Sequence, residues 1–171
     1  MIEIRSEQAG DLDPVRRVHE SAFAPSLAEA RLVDMLRAAG RAKVALVALA
    51  AGQIVGHALF SPVSIAVAPG GFRGVGLAPV GVLPAFQGKG IGSGLIRQGL
   101  EACRSAGYDA VVVLGHPGYY PRFGFLPAHN FQLENEYNAG EAFMAMELKP
   151  GALTGVSGLV KYAPDFRAAG C

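Results

Sequence analysis

Val82-Leu83-Pro84-Ala85-Phe86-Gln87-Gly88-Lys89-Gly90-Ile91-Gly92-Ser93 decides how this chain is read. An apolar strand, Leu77 to Leu83, runs through small glycines into a segment whose apolar residues Ile91, Leu95, Ile96, Leu100 and Cys103 recur at helical spacing. A helix entered this way turns uncapped backbone N–H groups outward at its positive end, which makes an anion site. Glycines at 88, 90 and 92 let an oxygen-rich group approach the backbone closely, and Lys89 adds a charge. The alternative is a tight structural turn whose glycines only permit left-handed backbone.

The spacing excludes three phosphate or nucleophile motifs. A dinucleotide fingerprint needs a third glycine where Ser93 or Leu95 stands, and a Walker loop does not follow its Gly-Lys with Gly90. A hydrolase elbow around Ser93 meets Ile91 and Leu95 instead of glycines.

Outward from this loop, Ile2 to Arg5 reads as a short strand, and Asp11-Leu12-Asp13-Pro14 opens a helix through about Phe23. Ser26 and Glu29 have capping-box spacing for a second helix that Gly40 closes. Val44 to Ala50 and Ile54 to Val67 form a hairpin across Ala51-Gly52-Gln53, with a bend or edge expected at Ser61-Pro62. Pro69 to Gly76 reads as a glycine-rich connection. Beyond the loop helix, which Gly107 stops, come a strand at Ala110 to Leu114, a short helix or turn within His116 to Phe123, and strands at Phe131 to Leu133 and Ala142 to Leu148. Val156 to Tyr162 is a short strand in the tail. No linker or repeat divides the 171 residues, so a single domain is expected, with a motif-bearing core of about 1–148 and an extension at 149–171.

Composition narrows the partners. Lys plus Arg total 15 against 14 for Asp plus Glu, and neither half carries a basic run, which argues against nucleic acid and against a polybasic membrane surface. The longest apolar run, Val44 to Ala51, is far short of the ~20 residues that cross a bilayer. Two cysteines, 103 and 171, make no disulfide framework, and the expected location is a reducing cytoplasm. His19, His57 and His129 lie on different elements without ligand spacing, so no metal is expected.

Gln87, Gly90 and Gly92 fit Q-x-x-G-x-G at a helix start, and this resembles the acetyl-CoA motif of the GCN5-related N-acetyltransferases, the GNAT family. Tyr120-Pro121-Arg122-Phe123-Gly124-Phe125 is similar to that family's Y-x-x-x-G-F segment. The resemblance implies an α/β (α+β) fold, a mixed, mostly antiparallel central sheet of about six to seven strands flanked by about four helices. It implies acetyl-CoA as cosubstrate, its pyrophosphate held by the backbone of Gln87, Gly88, Lys89, Gly90, Ile91 and Gly92, with the Ser93 hydroxyl adding to it. The pantetheine arm is expected along the free edge at Val80, Val82 and Leu83, where Pro79 and Gly81 suit a bulge.

Acetyl transfer to a primary amine by direct attack needs a free lone pair, a polarised carbonyl and a proton for the thiolate. The resemblance assigns the oxyanion to a backbone N–H at Val82 and the acid to Tyr120, with Tyr119 next in register. No carboxylate on Leu77 to Leu83 faces the amine. His116 is the candidate base, and Glu134 and Glu136 are candidates to attract an ammonium. Arg122 either meets phosphate or flanks the short helix. A homodimer fits the family. The rival reading is a catalytically inactive acyl-CoA-binding or regulatory module.

Overall fold

The computed structural model describes residues 1–171. Contacts gather the chain into two compact units: Met1–Ser61 with Ala78–Gly99 and Pro164–Cys171, and Pro62–Leu77 with Leu100–Ala163. Both contain β-sheet, and the pairings are mostly antiparallel.

In the first unit, β1 (Ile2–Ser6) pairs antiparallel with β2 (Val44–Ala50), from Ile2↔Ala50 to Ser6↔Leu46. β2 pairs with the first part of β3 (Gln53–Val67) in the expected hairpin. Ala51 (φ 49°) and Gly52 (φ 80°) both take left-handed backbone in its turn, the twist that matches a hairpin. Helices α1 (Leu12–Ala22) and α2 (Ala28–Ala38) follow their apolar stripes, Val15 and Val18 on one and Leu32, Val33 and Leu36 on the other. Ser26 does help to cap α2, one residue earlier than expected. Its hydroxyl accepts the Ala28 N–H at 3.2 Å and donates to Glu29 at 2.9 Å.

The tail holds a helix that the sequence did not announce, α4 (Asp165–Ala169). It is tied to α2 and the chain just beyond it: Arg31 donates to Ala169 O at 2.9 Å, and Arg41 pairs with the buried carboxylate of Asp165 at 2.7 Å. Helix α3 (Ile91–Ser105) runs through both units. At Gly99 it comes so close to β3 that an added Cβ would lie 2.3 Å from Cε1 of the fully buried Phe60. Overpacking of this kind costs about 1–3 kcal/mol, against which better helix propensity returns about 1 kcal/mol. Gly99→Ala is therefore expected to lower the urea midpoint while leaving the slope of the transition unchanged.

In the second unit, β4 (Gly74–Val82) begins parallel to β5 (Ala110–Leu114), from Gly74↔Ala110 to Leu77↔Val113. β5 is antiparallel to β8 (Phe143–Glu147), which also takes the two-residue β6 (Leu126–Pro127). The far part of β3 pairs with β9 (Ser157–Lys161), and β9 pairs in parallel with β7 (Leu133–Asn135).

One expectation is met in a particular form and one changes. β3 runs unbroken through Pro62, and the edge expected there is a gap between ladders. Its ladder with β2 ends at Phe60 and its ladder with β9 starts at Ser64, so the residue without an N–H falls between partners. The stretch Gly74 to Gly76 is strand instead of connection. Gly76 is small because a Cβ there would sit 2.4 Å from the ring of buried Tyr162. No helix is long and apolar enough to cross a membrane.

Candidate active site

The chain leaves β4 with the Leu83 N–H donating to Val55 O at 2.8 Å, turns through Pro84–Phe86, and enters α3 at Ile91. Gln87 holds this turn: its side-chain amide donates to Val82 O at 2.9 Å and ties the exposed loop to the end of the strand. Gly88 (φ 74°) and Gly90 (φ 83°) take left-handed backbone, which an L side chain adopts only under strain. No heavy atom lies within 4 Å of a Cβ built at either, so they serve backbone direction and open approach instead of packing. Gly94 N–H closes the first helical turn onto Gly90 O at 3.0 Å, so the N–H groups before it form the positive end of α3. The Lys89 ammonium lies 5.4 Å from the Phe86 ring centre.

In the second unit, Tyr120–Phe123 is one 3-10 turn, closed by Gly124 at φ 106°. His116 supplies the carbonyl that accepts the N–H groups of Tyr119 (3.0 Å) and Tyr120 (3.3 Å), while its imidazole is exposed. The Tyr120 ring sits edge-on to Tyr119 and Phe125, with centroids 5.2 and 5.7 Å away. Gly115 makes room for it, since a Cβ there would be 2.3 Å from Tyr120 Cε2. Burial pushes the phenol up to about 12. Arg122 is spent locally: it lies over the Tyr119 ring at 4.4 Å and donates to Tyr119 O at 2.9 Å, so it flanks the turn. Glu136 accepts the Tyr162 N–H at 3.1 Å, and Glu134 is exposed.

Residues 3–128 match the family model described as "Acetyltransferase (GNAT) domain". The chain belongs to the GNAT acetyltransferase family. It is 40% identical over 141 residues to the N-acetyltransferase YhbS of Escherichia coli K12, covering 81% of this chain and 83% of that protein. The crystal structure of Escherichia coli YhbS in complex with CoA superposes with a TM-score of 0.89 at 36% identity, over 97% of this chain and 92% of the other. A GNAT acetyltransferase from Brucella melitensis, solved with acetyl-CoA, gives a TM-score of 0.79 at 41% identity, over 97% and 98%.

The GNAT fold also assembles a cluster that the sequence hides. His19 on α1 and His57 on β3 meet, with His19 Nε2 2.8 Å from His57 Nδ1. His57 Nε2 lies 2.9 Å from Glu7 Oε1, a close contact whose angle falls short of a good hydrogen bond. Arg37 of α2 closes the chain on Glu7 at 2.7 Å. Both imidazoles are fully buried, and His19 Nδ1 has no hydrogen-bond partner. That nitrogen faces β4: a Cβ built at Gly81 would lie 2.8 Å from it.

Burial and the neighbouring His57 hold His19 down at about 3, and burial also lowers His57 against the pull of Glu7. For Glu7, burial opposes the charge, but His57 and Arg37 outweigh it and leave the carboxyl at about 2. Unfolded histidine takes its proton near 6.5. Between that value and about 3 the unfolded chain therefore binds more protons than the folded one at His19, and stability must fall as pH falls. Each such group contributes a slope of up to about 1.4 kcal/mol per pH unit. Urea midpoints are expected to be flat above pH 7 and to drop steadily from pH 6 to 4. A flat profile in that window contradicts neutral buried histidines.

Proposed function

We propose that this protein transfers an acetyl group from acetyl-CoA to a primary amine of a small molecule, peptide or protein by direct attack on the thioester. The observation that carries the reading is the exposed Gln87–Ser93 loop. It turns two left-handed glycines and the positive end of α3 outward, immediately after the apolar end of β4. The backbone of Gln87, Gly88, Lys89, Gly90, Ile91 and Gly92, with the Ser93 hydroxyl, would hold the pyrophosphate. The CoA-bound and acetyl-CoA-bound relatives support that choice of anion.

Val80, Val82 and Leu83 would hydrogen-bond the pantetheine arm, with the Val82 N–H on the developing oxyanion. Tyr120 would attend the departing sulfur. A phenol at about 12 against a thiol near 8.5 makes complete proton transfer uphill, so its part is to donate a hydrogen bond that strengthens as thiolate charge develops. His116 remains the candidate that the loop after β5 offers to the substrate side.

The two cysteines are both thiols, which fits a cytoplasmic protein. Titration calorimetry with acetyl-CoA tests the reading. Micromolar binding is expected, and a folded protein that takes up no heat-detectable acetyl-CoA or CoA overturns it. Acetylation of any of spermidine, tyramine or a lysine-containing peptide then separates the enzyme from an inactive acyl-CoA-binding module.

A further inference from the structure

Pro14, Arg17 and Ser21 share one flank of α1, because residues three and four apart stack along a helix. That flank and the β2–β3 hairpin together line a cavity of about 470 Å³, wholly inside the first unit. Its size falls in the range of about 300–1,000 Å³ that small-molecule sites occupy. Leu49, Ile54 and Leu83 give it an apolar wall, and Arg17, Ser21 and Gln53 give it donors. Leu83 also ends the edge that the proposed function gives to the pantetheine arm, so the inference rests on that reading.

The charge of the cavity follows from which arginines are already engaged. Among those of α1 and α2, Arg16 pairs with Asp34 at 2.8 Å, Arg37 pairs with Glu7 at 2.7 Å, and Arg31 donates to Ala169 O at 2.9 Å. Arg5 lines the cavity too, but both oxygens of the buried Asp11 hold it at 2.7 and 3.1 Å, a bidentate pair without net charge. Asp11 is the only carboxylate on the wall. Asp13, one turn before Arg17, meets Arg16 at 3.6 Å. Arg17 itself has neither an ion pair nor a side-chain hydrogen bond. The cavity therefore holds one uncompensated positive charge beside a neutral amide and a hydroxyl.

A guanidinium fork matches a carboxylate through two parallel hydrogen bonds and repels a cation. A polyamine or a lysine-rich peptide suits such a cavity badly. We infer that the cavity binds the acceptor, and that the acceptor is an amine bearing a carboxylate on an apolar body. The carboxylate lies on Arg17, with Ser21 and Gln53 as neutral donors beside it. The body covers Leu49 and Ile54, and the amine is directed along Leu83 toward the pantetheine edge. Arg17 sets specificity and takes no part in the transfer.

Two measurements on the full chain test this, with 4-(2-aminoethyl)benzoate and tyramine as probes. The two share a ring and an aminoethyl chain and differ in carrying a carboxylate or a hydroxyl at the far end. Each is titrated into 15N-labelled protein, with and without saturating CoA, while backbone amide shifts are followed. The benzoate is expected to move the amides of Ser21, Gly52, Gln53 and Ile54 and to bind about tenfold more tightly than tyramine. Arg17→Gln, at an exposed position, is expected to bring the two Kd values within about twofold of each other. No shift at these amides, equal Kd values in wild type, or a preference that survives Arg17→Gln overturns the inference. So does displacement of the benzoate by CoA, since the cavity then belongs to the cosubstrate.

In turnover, kcat/KM for the benzoate is expected to exceed that for tyramine about tenfold, and that for spermidine by more. Arg17→Gln should raise KM for the benzoate and leave kcat within about twofold, the mark of binding lost equally from ground and transition states. Acetylation of tyramine or spermidine in preference to the benzoate overturns the inference. A wild type that binds no acetyl-CoA, or binds it and acetylates none of these amines, fails the transferase reading and the acceptor role with it. The shift titration still decides in that case whether the cavity takes a carboxylate-bearing amine.

Discussion

Gly90→Glu should weaken acetyl-CoA binding by at least about a hundredfold in calorimetry, with the protein still folded. Two costs add. Gly90 sits at φ 83°, where an L residue is strained by about 1–2 kcal/mol, and a carboxylate within about 5 Å of a phosphate charge adds repulsion of about 3 kcal/mol at an effective dielectric of ~20. The loop is exposed, so water and salt reduce the second figure, and a tenfold loss per 1.4 kcal/mol leaves about two decades. Gly90→Ala separates the two costs. Its Cβ meets nothing within 4 Å, so it carries the backbone strain alone and should lose no more than about tenfold. Equal Kd values for Gly90→Glu and wild type would remove the anion from this loop and leave a structural turn.

The loop was legible in the sequence because its chemistry is local: glycines, helix start and preceding strand are consecutive residues. The same holds for β5, whose bounds at Ala110 and Leu114 agree with the sequence reading, and for α3 up to Ser105, where apolar spacing and Gly107 act within a few residues of each other. What escaped depends on distant partners. β6, two residues long, is a strand only because β8 offers it an edge, and β7, expected at Phe131 to Leu133, lies at Leu133–Asn135, where β9 pairs with it, because Ala128–Phe131 turns as a 3-10 helix. Gly74 and Gly76 looked like loop because a lone glycine says nothing about the neighbours that crowd it, Val63 and Phe72 at Gly74 and the Tyr162 ring at Gly76. α4 has five residues, too few to show a period, and it is held by Arg31 and Arg41 from far earlier in the chain.

The buried histidine cluster is the clearest case. Glu7, His19, Arg37 and His57 come from the end of β1, α1, α2 and β3, and no spacing rule links them, so the residues were visible but their meeting was not. A weak signal did exist in hindsight of the packing. His19 falls on the buried stripe of α1 with Val15 and Val18, where an unpaired imidazole would be costly, so a buried partner was required.

Tyr120→Phe should lower kcat about a hundredfold on an amine that the wild type acetylates, with acetyl-CoA binding within about twofold. The change removes only a hydroxyl. The ring stays seated against Tyr119, Phe123 and Phe125 and over Gly115, so folding is expected to survive. Tyr119→Phe is the matched control for register. Its ring is already engaged by Arg122, and a loss confined to position 119 would move the sulfur-facing role one residue back. Because the Tyr120 phenol stands near 12, it is protonated throughout the working range, so its removal should scale kcat by the same factor from pH 6.5 to 9.5. Gly115→Ala supplies the complementary test. It keeps the hydroxyl but puts a methyl group 2.3 Å from Tyr120 Cε2 and 2.8 Å from Cδ2, so the ring must turn or slide. A loss of kcat comparable to that of Tyr120→Phe is expected there too, since a hydrogen bond to sulfur depends on where the oxygen points and not only on its presence. If Gly115→Ala keeps full activity while Tyr120→Phe loses it, the displaced ring still reaches the sulfur and the positional requirement fails. If both keep it, the thiolate leaves without help from this turn.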